Sequence, residues 1–189
     1  MKVAGRSYIF IADIGDNRAR SRQYFIYRFE EPTASTDTVY AIEKISFRYP
    51  DGSHDAEAML IDNITKDIYL ITKRDTLSKI YKLPYPQSTS SVNTATYVGS
   101  LGFNGVVSAS CSADGLEIIV KTYFSISYWK RNRAEAISDV LKKKPLLLSY
   151  MLEPQGEAAC FKNDKSGFYT LSEKPFFSGS VDLNFYKRK

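Results

Sequence analysis

The chain predicts an all-β fold of the β-propeller class, and two observations carry that prediction. The first is an internal repeat: Glu57-Ala58, Asn63, Tyr69 and Thr72-Lys73 recur 100 positions later as Glu157-Ala158, Asn163, Tyr169 and Ser172-Glu173. Midway between them, Ile118–Thr122 stands 50 positions after Ile68–Thr72, and Tyr8–Asp13 matches Ile68–Lys73 at a distance of 60. A repeating unit of about 40 to 50 residues made of short strands is the sequence pattern of propeller blades. The second observation is composition. Hydrophobic residues make up 43% and aromatics 14%, with 14 Tyr and 11 Phe, and with frequent β-branched residues they suit pleated, half-buried surfaces. A chain of 189 residues is long enough to bury a sizeable core, so one propeller domain is expected over 1–189. Its blades are placed at 1–50, 51–102, 103–153 and 154–189.

Taken in order, blade one offers strands at Ser7–Ile14, Gln23–Glu30 and Ala41–Tyr49. Blade two offers Glu57–Ile61, Asp67–Lys73, Lys79–Leu83 and Ala95–Leu101, divided by turn-rich stretches such as Asp62-Asn63 and Pro84–Asn93. Blade three offers Val106–Cys111, Glu117–Tyr123, Ser127–Lys130 and Leu146–Leu152; its Ser112-Ala113-Asp114-Gly115 connection is a hairpin signal, because Asp-Gly tolerates positive φ. Blade four offers Gly156–Phe161, Gly167–Leu171 and Leu183–Tyr186. Between Arg133 and Lys144, apolar residues at Ala134, Ile137, Val140 and Leu141 recur at helical spacing, which predicts a short helix packed on a blade edge.

On this count blade one lacks its innermost strand and blade four its outermost. An unfinished ring leaves apolar faces and strand edges uncovered, so self-association through the unfinished blades is expected.

The net charge is +5. Lys142-Lys143-Lys144 and the tail Lys187-Arg188-Lys189 are read as solvated surface. No basic stripe accompanies a recognised module, so nucleic acid is not an expected partner. No apolar run is long enough to span a membrane, and Met1–Arg6 lacks the apolar stretch of a secretory signal. Cys111 and Cys160 lie one residue out of phase in the repeat, which points their side chains to opposite faces. No disulfide is expected, and both are read as buried thiols. Asn63-Ile64-Thr65 fits the N-glycosylation triplet, a pattern common by chance.

In a propeller the start of the first strand and the end of the second meet at one mouth of the central channel. The residues placed there are Glu57, Lys73, Arg74, Lys121, Tyr123, Glu157 and Glu173, joined by Asp13, Asp16 and Asn17 from blade one. Asp55 and Lys174 lie beside them. Convergent carboxylates at Asp13, Asp16, Glu57 and Glu157 are the candidate ligands for a hard cation such as Ca²⁺, which takes six to eight oxygens. Ion pairing, Glu57 with Arg74 and Glu157 with Lys174, is preferred to metal. The lysines and Arg74 could alternatively receive an anion. Asp13-Ile14-Gly15-Asp16-Asn17 lacks the spacing and terminal Glu of an EF-hand loop and is read as a tight Asx turn with Gly15 free to adopt positive φ. No catalytic residues are identified: His54, the single histidine, is read as exposed in a loop, and there is no Gly-x-Ser-x-Gly elbow.

Five motifs in order carry a resemblance. They are Asp13-Ile14-Gly15-Asp16-Asn17; Tyr49-Pro50-Asp51-Gly52 with Asp55-Ala56-Glu57-Ala58; Thr72-Lys73-Arg74; Ser112-Ala113-Asp114-Gly115 with Lys121-Thr122-Tyr123; and Gln155-Gly156-Glu157-Ala158. As a set, covering nearly the whole chain, they resemble a family of largely uncharacterised bacterial β-propeller proteins, many of them exported. The resemblance implies a further N-terminal blade segment that this chain lacks, and Lys121 stands where the family commonly has arginine. It implies no settled activity.

The leading expectation is therefore a non-enzymatic binding module that takes a small anionic or protein ligand at the mouth. The alternatives are a metal-dependent hydrolase of phosphoesters that uses the same carboxylates with Ca²⁺, and a purely structural interaction domain.

Overall fold

The computed structural model describes residues 1–3, 5–174 and 180–188. Its strands, in chain order, are β1 (Lys2–Val3), β2 (Arg6–Asp13), β3 (Tyr24–Glu30), β4 (Glu43–Arg48), β5 (Ala56–Ile61), β6 (Ile68–Thr72), β7 (Lys79–Leu83), β8 (Asn93–Thr94), β9 (Thr96–Ser100), β10 (Val106–Cys111), β11 (Glu117–Thr122), β12 (Ile126–Lys130), β13 (Leu146–Leu148), β14 (Gly156–Phe161), β15 (Gly167–Ser172) and β16 (Asn184–Lys187), with one short helix α1 (Ile137–Val140). They form four sheets: β1-β2-β3-β4-β8, β5-β6-β7-β9, β10-β11-β12-β13 and β14-β15-β16. The chain is all-β, with four antiparallel blades arranged as a propeller.

Apolar residues on both faces of the central strands, with β6 and β11 buried along their whole length, drive the blades together. The faces of blades one and two share a core of Ile14, Tyr24, Ile26, Ile45 and Phe47 with Ala56, Ile68, Leu70, Tyr81 and Leu83. Blades two and three close on Leu60, Tyr69, Ile71 and Ile80 against Val106, Ile118, Val120 and Trp129. A smaller cluster, Ile119 and Ile126 with Ala159, Phe161 and Phe168, joins blades three and four. Helix α1 belongs to the second of these cores through Ile137 and Val140, as its apolar spacing predicts.

Packing therefore runs in series. Blade one turns Ile9 and Ile11 outward, and blade four turns out Leu171 and Phe185; all four are exposed, Ile11 by 54%. Blade four is short among the described residues, as expected, whereas blade one has a strand at the inner position where none was expected and forms a five-stranded sheet with β8. At the inner position of blade one only the two-residue β1 pairs with β2, and among the described residues blade four has three strands.

Strand positions agree with the sequence reading to within a residue or two, except that the fourth strand of blade three ends at Leu148 rather than Leu152. Two strands were not anticipated. One is β1; the other is β8, inside the stretch read as turn. It pairs in parallel with β4, Phe47 opposite Asn93, and Asn93 Nδ2 donates to Ser46 O at 2.9 Å. Because β8 lies just before β9, it ties the rim of blade two to blade one. The Asp-Gly hairpin forms as predicted, with Gly115 at φ 76°. Gly15 does not take positive φ; two residues beyond that segment Ala19 does, at 47°.

Both cysteines are free, and only the reading of them as buried needs correction. Cys111 is partly covered and Cys160 is exposed, since Cys160 alternates with Ala159 and Phe161, which take the face turned to blade three. Among the described residues no helix is long and apolar enough to cross a membrane.

Candidate functional site

The same irregularity opens the inner strand of three blades. The register against the second strand shifts between Ala56 and Ala58, between Val106 and Ser108, and between Gly156 and Ala158. Each shift is a β-bulge, and the extra residues are Glu57, Val107 and Glu157, 50 positions apart. A bulge re-aims the side chain it carries and ends regular pairing. Here it presents two glutamates at one end of the channel, while blade three contributes the buried Val107.

Lys73, at the end of β6, answers them. Its Nζ donates to both carboxylate oxygens of Glu57 at 2.8 Å and to Tyr123 OH at 3.0 Å, and it lies 3.8 Å from Glu157 Oε1. Tyr123 OH donates to Glu157 Oε1. The result is one chain of contacts, Glu57–Lys73–Tyr123–Glu157, across blades two, three and four. Burial opposes the charge on Lys73, but hydrogen bonds to Glu57 and Tyr123 outweigh it and hold the lysine pKa above its ordinary value. The hydrogen bond to Glu157, partly offset by Lys73, raises the pKa of Tyr123. Next to Tyr123 the ring of Phe124 stands 81% exposed at the rim.

A second cluster forms around Asp55, whose side chain is almost wholly buried. Arg74 Nε donates to Asp55 Oδ2 at 2.6 Å, and the Asp16 backbone N donates to Asp55 Oδ1 at 2.7 Å. Arg74 also donates through Nε to Asn17 Oδ1 at 3.1 Å. Asp16 Oδ2 in turn accepts from Ser21 N at 2.7 Å and from Tyr24 OH at 3.0 Å.

Of the residues placed at the mouth by sequence, Glu57, Lys73, Tyr123 and Glu157 thus come together, and Asp16, Asn17 and Arg74 form a separate group. Asp13 and Glu173 are exposed, and neither side chain makes a hydrogen bond or ion pair among the described residues. Lys121 is fully buried: its Nζ donates to Gly156 O at 2.6 Å and to Thr122 O at 3.0 Å, and it lies 4.9 Å from the centre of the Tyr150 ring. Burial pushes its pKa down, with the charges of Glu153 and Glu157 opposing. It is a strut between blades three and four, not a group open to ligand.

The expected pairings also differ. Glu57 takes Lys73 rather than Arg74, because Arg74 is drawn to the buried Asp55; Glu157 takes Tyr123, and Lys174 is exposed. Among the described residues no three His, Cys, Asp or Glu side chains come together as a metal site. The candidate calcium ligands are spread over both clusters and the exposed Asp13.

His54 is buried rather than exposed in its loop. Its Nδ1 lies 3.1 Å from Asp75 Oδ2, its Nε2 lies 3.1 Å from Asp51 Oδ1, and Tyr81 OH is 2.9 Å from Nε2. Burial would raise the pKa of Asp51, but hydrogen bonds from Lys79, Tyr81 and His54 hold it well below the carboxylate range. This network pins the loop between β4 and β5. The turn signal at Asp51-Gly52 made the segment look solvated, and the sequence offers no sign of the aromatic lid formed by Tyr49 and Tyr81.

No family model and no curated protein matches the chain. Among solved structures, it is similar to a chain of a nidogen–laminin complex at 8% identity, covering 88% of this chain and 53% of that one, with a TM-score of 0.54. It is also similar to TolB from Acinetobacter baumannii at 12% identity, covering 97% of this chain and 39% of that one, with a TM-score of 0.53. The chain thus spans about half the length of the first and less of the second. At such identities the likeness is one of fold: four radial antiparallel sheets in series.

Proposed function

We propose that the chain is a propeller binding module that takes a protein ligand at the mouth shared by blades two, three and four, where it receives a basic side chain. A β-propeller is in general a scaffold for binding and interaction, and its specificity lies in the site it displays. The observation that supports the ligand class is the saturation of Lys73. An ammonium has three N–H donors, and all of them point at Glu57 and Tyr123, so none is left for an anion. Glu57, Lys73 and Glu157 together carry one net negative charge, with acceptor capacity left on Glu157, and the exposed Phe124 ring lies alongside. Carboxylate acceptors beside an aromatic surface suit a guanidinium or ammonium on a protein surface better than a small anion.

The test is an NMR titration of ¹⁵N-labelled protein with acetyl-Ala-Arg-Ala-amide and, separately, with inorganic phosphate. The arginine peptide is expected to shift the amides of Tyr123, Phe124 and Glu157, and Glu157→Gln to remove those shifts while leaving the remaining spectrum in place. Phosphate shifting the same amides while the peptide leaves them unmoved would overturn the reading.

A further inference from the structure

Among the described residues blade four has three strands where the two preceding blades have four. In blade two β9 pairs antiparallel with β7, and in blade three β13 pairs antiparallel with β12. The same position beside β16 is vacant among the described residues. Next to that vacancy, between blades three and four, lies a groove of about 720 Å³ whose apolar walls include Tyr128, Leu146, Leu148, Phe161, Phe168 and Tyr186. Leu146 pairs with Tyr128 and so faces blade four, yet it is 62% exposed. The equivalent space between blades two and three is filled by α1 with Leu101.

The backbone of β16 is set for pairing. Arg188 N donates to Ser166 O, and Phe168 lies opposite Tyr186 in the same register. In an antiparallel ladder alternate pairs exchange hydrogen bonds. Residues 184, 186 and 188 therefore turn their backbone groups to β15, and Phe185 and Lys187 turn theirs to the open edge. An edge with free N–H and C=O groups beside an apolar groove is a template for an added strand.

We infer that the outer edge of β16 takes an extended segment of a partner polypeptide as the fourth strand of blade four. That segment runs antiparallel to β16, puts alternate apolar side chains into the groove and carries acidic residues at its N-terminal end. The orientation follows from blades two and three. The charge follows from Lys130 and Lys187, exposed where the added strand would begin and without an ion pair among the described residues. Arg188 beside them is paired with Glu117. This surface is on the rim and does not use the mouth residues.

The probe is the fluorescein-labelled peptide acetyl-Asp-Asp-Leu-Thr-Leu-Thr-Val-amide, followed by fluorescence anisotropy against the full chain at low salt. Saturable binding is expected. N-methylation of the alternate amides that face β16 should weaken binding about tenfold or more, since two backbone hydrogen bonds are lost. Replacing Asp-Asp by Lys-Lys should weaken it about threefold or more. Lys187→Pro, which removes an edge donor at a position where an edge strand tolerates proline, should abolish binding with far-UV circular dichroism unchanged, whereas Lys187→Ala should only weaken it. Leu146→Glu, on the opposite wall and outside blade four, should weaken it independently of the fold of β16. Equal binding of the N-methylated peptide, or full binding by both Lys187→Pro and Leu146→Glu, overturns the inference. A dimer seen by light scattering that Lys187→Pro dissociates also overturns it, by assigning the edge to a second copy.

Discussion

The ion pair between Asp62 and Arg131 offers a sharp test of how blades two and three are held in register, since the mouth spans that junction. Arg131 Nη1 lies 3.0 Å from Asp62 Oδ2, and each side chain is 1% exposed. Asp62 has other partners, Ile64 N at 2.8 Å and Thr65 Oγ1 at 3.0 Å, whereas Arg131 meets it as an ion pair only, its Nε and Nη1 making no hydrogen bond among the described residues. Asp62→Asn keeps the turn around Ile64 and removes only the charge, leaving a guanidinium buried without a counter-ion. Breaking one side of a buried pair costs about 3–5 kcal/mol, a large share of the roughly 5–15 kcal/mol that keeps a domain folded. With a urea dependence of about 2 kcal/mol per molar, the unfolding midpoint should fall by about 1.5–2.5 M. Adding Arg131→Met removes the stranded charge, so the double variant should recover to within about 2 kcal/mol of the parent. Urea titrations followed by circular dichroism on the parent, both single variants and the double variant give the coupling directly. A midpoint shift under about 0.5 M for Asp62→Asn, or a double variant as unstable as the sum of the singles, would refute the assignment.

Asp114 supplies an acid-side prediction. Hydrogen bonds from Lys165 and Ser112 hold its pKa down at about 2 against an ordinary 3.8, so its contribution is complete above about pH 4 and disappears as pH falls toward 2. Melting temperatures between pH 5 and 2 should drop less steeply in Asp114→Asn than in the parent; identical slopes would count against the Lys165 contact. Gly167 has no room for a side chain: a Cβ there would sit 2.1 Å from Tyr186 O. Gly167→Ala should push β16 away and destabilise blade four by about 1–3 kcal/mol, visible as early loss of amide protection in β15 and β16. The uncovered Ile9 and Ile11 on one terminal blade and Leu171 and Phe185 on the other predict concentration-dependent association. Light scattering should show it reduced by Ile11→Lys and Leu171→Lys, and a clean monomer of the parent at high concentration would contradict the prediction.

Blade number, strand order and nearly every strand boundary were legible in the sequence, because a propeller is a local object repeated. Short apolar runs mark the strands, turn residues mark their ends, and the recurrence of Glu57-Ala58 at Glu157-Ala158 and of Ile68–Thr72 at Ile118–Thr122 sets the period. The convergence of Glu57, Lys73, Tyr123 and Glu157 on one mouth was legible for the same reason, since equivalent positions in equivalent blades point to equivalent places. What the repeat does not carry is the choice among nearby partners. Lys73 and Arg74 are adjacent in sequence, yet Lys73 takes Glu57 and Arg74 takes Asp55. That division depends on Asp55 being buried and already bonded to Asp16 N, a contact between blades. His54 looks like a loop residue until Tyr49 and Tyr81, from two different blades, close over it. Lys121 occupies a mouth position in the repeat but is swallowed by the junction with blade four, where Gly156 O accepts a hydrogen bond from its Nζ. The sequence by itself determined the blades and brought Glu57, Lys73, Tyr123 and Glu157 to one mouth; only the packing of one blade on the next decided which of the other candidates joined them, which charges neutralise each other and which remain open, because burial and pairing are properties of the interfaces between repeats and not of the repeats themselves.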